Sequence, residues 1–163
     1  MIAVMESPLG RIWILGDSRR IFEVDFSEIP GPAHEGELDW ILSPLEAYFS
    51  GSGTAFPGAL AFEGKTPVWS RGEAWPRTLR MSQKVLLAIS RIPFGCVKTY
   101  GQIAAELGNP RMARAVGQVC RNNPIPLLVP CHRVIGRNSL VGFSSGLWRK
   151  KALLEHEGIT YPL

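Results

Sequence analysis

The side chains best suited to chemistry stand together in Pro130-Cys131-His132-Arg133. A thiolate is the reactive form of cysteine, yet a free thiol with a reference pKa of about 8.5 is only a few per cent ionised near neutrality. It needs a base and a positive environment, which His132, Arg133 and the His156-Glu157 pair could supply. The apolar run Ile125–Val129, with prolines at 126 and 130, gives Cys131 a stiff backbone at the mouth of a core. Neighbouring side chains on an extended backbone point to opposite sides, so His132 is expected to reach Cys131 through a water or after a local turn. The alternative is that Cys131 is a small buried hydrophobe and His132 a satisfied core residue.

Other chemistries find little support. Cys96, Cys120, Cys131, His34, His132 and His156 show neither C-x-x-C nor H-x-x-x-H spacing, so no metal centre is expected, and Cys96 and Cys120 read as core thiols. A P-loop, a dinucleotide glycine motif and G-x-S-x-G are all missing, which removes phosphoryl, hydride and serine-hydrolase chemistry and leaves no cofactor to expect.

The elements around Cys131 read as mainly helical. Met81, Val85, Ala88/Ile89 and Ile92 recur at helical spacing until Pro93-Phe94-Gly95 ends the run. Thr99-Tyr100-Gly101-Gln102 is a capping box opening a short helix that closes at Leu107-Gly108. Asn109-Pro110 opens a second helix to about Arg121, with Ala113, Val116 and Cys120 inward and Arg111, Arg114, Gln118 and Arg121 outward. Two short helices joined by a glycine-containing turn, the second one basic, make a helix-turn-helix. Val134 to Phe143 is expected to form a hairpin wing around Gly136-Arg137-Asn138-Ser139. A last helix from about Gly146 to Glu157 is expected to expose Arg149-Lys150-Lys151.

The first part of the chain reads differently. Phe22, Val24 and Phe26 alternate with Glu23 and Asp25, as in a half-buried strand, so the first 26 residues read as a β-meander. Ser43-Pro44-Leu45-Glu46 looks like a capping box that opens a helix ending at Ser50-Gly51-Ser52-Gly53. Residues 54–77, with Pro57, Pro67, Pro76, Trp69 and Trp75, show no clear period and are expected to be a packed connection between two lobes.

Charge divides along the same line. Residues 1–75 hold 5 basic and 11 acidic side chains, and residues 76–163 hold 13 and 3. A net of −6 followed by +10 suggests that the second half faces a polyanion, the alternative being a merely solvated basic surface. With 163 residues, 45% apolar and 20% charged, the chain is long enough for a core without disulfides, which excludes disordered and fibrous classes. No apolar run approaches the roughly 18 residues of a membrane helix. The opening MIAVMESPLGRIW meets Glu6 and Pro8 before a signal core could develop, and three cysteines fit a reducing interior. A cytoplasmic location with access to chromosomal DNA is therefore expected.

From Ile92 to Gly158 the chain resembles the O6-alkylguanine-DNA alkyltransferases, or methylated-DNA–protein-cysteine methyltransferases. The segments IPFG, KTYGQIA, GNPRMARAVG, RNNPIPLLVPCHRVIG, LVGF and LLEHEG stand in the family's order and spacing, and the opening MESPLG fits more weakly. The resemblance implies an α+β protein. An N-terminal α/β lobe with a small antiparallel sheet (1–76) would precede a mainly helical, winged helix-turn-helix-like lobe (77–163) for DNA binding and alkyl transfer. It implies a monomeric suicide enzyme without metal or cofactor. Such an enzyme flips O6-alkylguanine, chiefly O6-methylguanine and also O4-methylthymine, from duplex DNA and transfers the alkyl group irreversibly to its own cysteine.

By the same resemblance, Cys131 is the acceptor, His132 takes its proton through a water, and Glu157 orients and charges the imidazole. Tyr100 donates a hydrogen bond to the leaving guanine, and Asn123 holds the turn between the basic helix and the cysteine segment. Arg114 matches the finger inserted through the minor groove into the gap left by the base, where its planar charged group can stack. Asn109, Tyr100, Ala113 and Arg137 match DNA-contact positions, and the small Ala113, Ala115 and Gly117 allow close backbone approach. Val134, Phe143, Ser144 and Ser145 match the alkyl-pocket walls. Three departures stand out. Ser145 replaces the first glycine of a common pair, which is expected to narrow the pocket. Leu86 replaces a frequent tryptophan, and the connection at 64–77 is longer than usual. Two rivals fit less well: a lesion-binding alkyltransferase-like protein would lack Cys131, and a helix-turn-helix regulator would need more base-reading side chains than Met112–Gly117 offers.

Overall fold

Strands β1 (Ile2–Met5), β2 (Ile12–Gly16) and β3 (Arg20–Asp25) form the expected antiparallel meander. The chain is described here by a computed structural model covering residues 1–34, 36–72 and 78–160. It divides into two compact units, Met1–Pro76 and Arg77–Leu163. Trp75, Pro76 and the junction between the units lie outside the described residues.

The buried face of β3 is not the one that simple alternation predicts. Ile21 and Val24 are buried, whereas Phe22 and Phe26 are only half-buried. Gly16 pairs with Ile21 and Leu15 with Glu23, so Phe22 is the extra residue of a β-bulge. A bulge shifts the inward phase by one residue and leaves the aromatic ring at the surface, beneath the Arg20 guanidinium.

Residues 54–72 are more than the packed connection expected from their lack of period. Strands β4 (Ala59–Glu63) and β5 (Thr66–Ser70) form a hairpin that completes a five-stranded sheet in the order β1-β2-β3-β5-β4. Pro67 sits near the start of β5, where a missing N–H does least harm. Gly64, with φ of 63°, occupies the first turn position, where a II′ hairpin favours glycine. Helix α1 (Asp39–Phe49) also starts earlier than the capping box at Ser43 predicts, and Pro44 lies inside it. Its Leu38-Ile41-Leu45-Tyr48 stripe is buried, which outweighs one lost backbone hydrogen bond.

In the second unit, α2 (Met81–Ser90) buries Val85, Leu86 and Ile89, while Met81 is exposed. Strand β6 (Lys98–Thr99) leads into α3 (Tyr100–Glu106), whose start has the full Thr99–Gln102 capping box. A 3₁₀ turn at Pro110–Met112, capped by Asn109, leads into α4 (Ala113–Arg121). Strand β7 (Val134–Ile135) pairs in parallel with β6, and α5 (Leu147–His156) closes the unit.

The expected hairpin wing is not formed. Gly136 N–H and the Ser139 carbonyl close a tight turn at 2.9 Å, but no strand returns along β7. Gly142 (φ 87°) and Gly146 (φ 101°) hold the returning limb in left-handed conformations incompatible with a strand. Among the described residues no helix is long and apolar enough to cross a membrane.

Candidate active site

Cys131 is held by the chain that precedes it. Asn123, buried just after α4, donates its side-chain amide to the Val129 carbonyl (2.9 Å) and to Cys131 Sγ (3.3 Å). Its side-chain oxygen accepts the Ile125 N–H at 3.1 Å. One side chain thus pins both ends of a buried loop. In that loop Leu127 takes a φ of 73°, a conformation costly for a branched side chain and tolerated only where the surroundings enforce it.

The cysteine lies in a 3₁₀ turn, Cys131–Arg133, rather than on an extended backbone. With three residues per turn, consecutive side chains diverge by about 120° rather than opposing each other, which removes the geometric objection to a Cys–His pair. Cys131 is 2% exposed and His132 1%. His132 Nε2 lies 2.7 Å from Glu157 Oε1 at the end of α5. Glu157 also accepts from Arg133 Nε and Nη2, each at 2.9 Å, and from the Gly95 N–H at 3.2 Å. Among the described residues His132 Nδ1 has no hydrogen-bond partner.

Electrostatics follow from burial first. Desolvation pushes the Cys131 thiol up, while the Asn123 amide and the Lys150 ammonium pull it back. Desolvation pushes His132 below its usual 6.5; Glu157 opposes this, and Arg133 and Lys150 reinforce it. Burial raises Glu157, but hydrogen bonds from His132 and Arg133 outweigh it and hold the carboxyl well below its usual range. Burial drives the Cys120 thiol up to about 12, which makes it inert beside Cys131.

Lys150 corrects the expected exposure of Arg149-Lys150-Lys151. It is fully buried, and its Nζ donates to the carbonyls of Val134 (2.5 Å) and Val141 (3.3 Å) and to Tyr100 Oη (3.4 Å). Burial lowers its pKa to about 8, so it still carries most of its charge near neutrality. The signal was present in the sequence, because 150, 153, 154 and 157 form one helical stripe and all four are buried. Tyr100 is half-buried at the start of α3, and its hydroxyl donates to the Val141 carbonyl at 2.7 Å. Burial pushes its ionisation upward, so it stays protonated.

The expected DNA-facing residues gather near Tyr100. A groove of about 450 Å³ is lined by Tyr100, Ala113, Arg114, Gly117, Gln118, Arg121, Val141 and Gly142. A second of about 590 Å³ includes Tyr100, Pro110, Ala113 and Arg137, with exposed Asn109 next to Pro110. A third of about 460 Å³ includes Phe143, Ser144 and Arg121. Val134 is buried, Ser145 is half-buried with its carbonyl on Arg149, and Cys131 lines none of these grooves. Hydrogen bonds therefore unite Cys131 with Asn123, and His132 with Glu157. Arg114, Ala113 and Tyr100 share a separate, open groove.

The chain matches two family models. Residues 1–62 match the ribonuclease-like domain of 6-O-methylguanine DNA methyltransferase, and residues 80–159 match its DNA binding domain. It is 39% identical to a methylated-DNA–protein-cysteine methyltransferase of Methanosarcina acetivorans, over 96% of this chain and 97% of that protein. It is 37% identical to a protein of that name from Salmonella typhimurium, over 93% and 92%. The crystal structure of Mycobacterium tuberculosis OGT in complex with DNA is 32% identical, with a TM-score of 0.75 over 96% of this chain and 91% of that one.

Proposed function

The chain belongs to the 6-O-methylguanine DNA methyltransferase family, enzymes of DNA repair by alkyl transfer to a protein cysteine, and from that premise we propose that its acceptor is Cys131. The substrate is O6-alkylguanine in duplex DNA, chiefly O6-methylguanine, with O4-methylthymine carrying the same kind of exocyclic O-alkyl group. The protein acts as a cytoplasmic monomer, and residues 77–163 supply both the DNA contacts and the reaction. The observation that carries this reading is the buried constellation itself. Cys131 is the thiol held by Asn123, and the next residue is an imidazole seated on a fully buried carboxylate.

The reaction balances within the residues present. The thiol proton passes to His132 Nδ1 through a water, and the imidazolium formed is stabilised by Glu157. The thiolate attacks the alkyl carbon, an S–C bond forms, and the C–O6 bond breaks with its electron pair going to the base. Tyr100 donates a hydrogen bond to the departing anionic base, for which its hydroxyl must leave the Val141 carbonyl. The proton that left the thiol is returned through water to that base, which restores the neutral imidazole. The thioether formed has no easy leaving group, so each molecule reacts once.

A base inside the stack is out of reach of a thiol that is 2% exposed, so the substrate nucleotide must be extruded. Arg114, exposed on α4, fills the vacancy, and the small Ala113 and Gly117 let α4 approach the sugar-phosphate backbone. Asn109 and Arg137 contact the backbone nearby. Val134, Phe143, Ser144 and Ser145 enclose the alkyl group. The test separates extrusion from chemistry: Arg114→Ala should slow repair of duplex DNA far more than reaction with free O6-benzylguanine, which has no stack to leave. Equal losses on both substrates would assign Arg114 to the fold instead.

A further inference from the structure

Arg133 is buried in the same turn as Cys131 and His132 but lines none of the three grooves. Its Nη1 donates to the Ile92 carbonyl at 2.7 Å, while Nε and Nη2 grip both oxygens of Glu157. The Glu157 side chain is wholly inaccessible to solvent, and it accepts from His132, Arg133 and the Gly95 N–H. Such a carboxylate is ionised, and a full positive charge already answers it. In a simple carboxylate–imidazole pair the carboxylate's charge favours the protonated imidazole. Here the Glu157–Arg133 pair sums to zero, so an imidazolium at His132 would be a surplus buried cation.

Resting on the reading of Cys131 as acceptor and His132 as base, we propose that Arg133 is a positioning residue that neutralises Glu157. His132 then rests as a neutral imidazole with its Nε2–H on Glu157, and Cys131 rests as a thiol. The charged groups acting on the ring are Glu157 and Lys150 from the α5 side, and Arg133 from its own turn, which also holds the Cys131 thiol. Burial, Arg133 and Lys150 all favour the neutral ring, and Glu157 alone opposes them. The arrangement suits a protein that can use its thiol once. A resting thiolate–imidazolium pair would be open to oxidants and small electrophiles, whereas a thiol ionises only when the relay runs.

The test reads the charges directly and needs no DNA, so it can fail while the assignment of the acceptor stands. In protein carrying ring-labelled nitrogen-15 histidine, His132 should show the neutral Nε2–H tautomer at about pH 7. Thiolate absorbance, taken as the difference from the Cys131→Ser variant, should be absent there. Arg133→Met should protonate His132 at that pH and raise the thiolate fraction about tenfold or more, the effect of a shift of one pKa unit. Arg133→Lys keeps the charge without the fork and should keep the ring neutral. Imidazolium at His132 in the unmodified protein would overturn the proposal, and this reading holds even if Arg133→Met fails to fold. A folded Arg133→Met variant with the same ring and thiol charges would overturn it too.

Discussion

Asn123 ties the Cys131 thiol to the backbone of the loop that precedes it. Its amide bonds the Val129 carbonyl and Cys131 Sγ, and its oxygen takes the Ile125 N–H. Asn123→Ala should cost about 1–3 kcal/mol for each buried group left unpaired, read by chemical denaturation. It should also raise the thiol's pKa, since the lost hydrogen bond was lowering it, and so slow methyl transfer. Both losses are expected in the same variant. Lys150 is the residue that sequence reasoning placed wrongly: three basic residues in a row look like a solvated face, although helical phase puts the second with Leu153, Leu154 and Glu157. Cys131, His132 and Glu157 were legible as candidates because their types and order point to thiol chemistry. The role of Arg133 was not, because nothing in a linear sequence says which carboxylate a guanidinium will meet.

Among the elements, the 3₁₀ turn and the loop before α5 decide what the side chains can do. The capping box at Thr99 was legible in the sequence because capping is local, and so was the glycine-ended turn between α3 and α4. The wing was misread because Val134-Ile135 has a strand-like sequence whose partner, Lys98-Thr99, is more than thirty residues away and parallel. The bulge at Phe22 and the β4–β5 hairpin were hidden for a similar reason. Prolines and aromatics blurred the period, and only the completed sheet fixes the register. Gly142 offers a test at this level. Its φ is 87°, and an added Cβ would lie 2.6 Å from Tyr100 Oη. Gly142→Ala should therefore displace the tyrosine hydroxyl and lower the rate of methyl transfer, measured by single-turnover assay on duplex holding one O6-methylguanine. An unchanged rate would mean that the Tyr100 hydroxyl takes no part in the transfer.

For the whole molecule, charge and acid stability are the relevant quantities. The basic surplus lies in residues 76–163, so affinity for undamaged duplex should fall with salt at a slope of about −0.9 per phosphate neutralised. Three to six contacts would give a slope of about −3 to −5, and neutralising Arg111 or Arg137 should reduce it by about one. Neutralising Arg11 or Arg19 in the acidic part should leave it unchanged. Acid stability has a definite sign. Glu157 is held below its ordinary 4.5, so its contribution is present above that value and is lost as pH falls through the lower folded-state one. His132 is held below 6.5, so the unfolded chain binds that proton first and stability begins to decline from there downward. Glu157→Gln should cost about 3 kcal/mol or more at neutral pH by leaving Arg133 unanswered, and thermal melts should show a flatter dependence on pH below 4.5.

The most direct test of the account is to incubate the protein with duplex DNA holding a single O6-methylguanine, then measure its intact mass and map the digested peptides. One added methyl group per protein molecule is expected, located on Cys131, with Cys96 and Cys120 unmodified and no gain in the Cys131→Ala variant. A methyl group mapped to another residue, or repeated turnover by an unmodified protein, would contradict it.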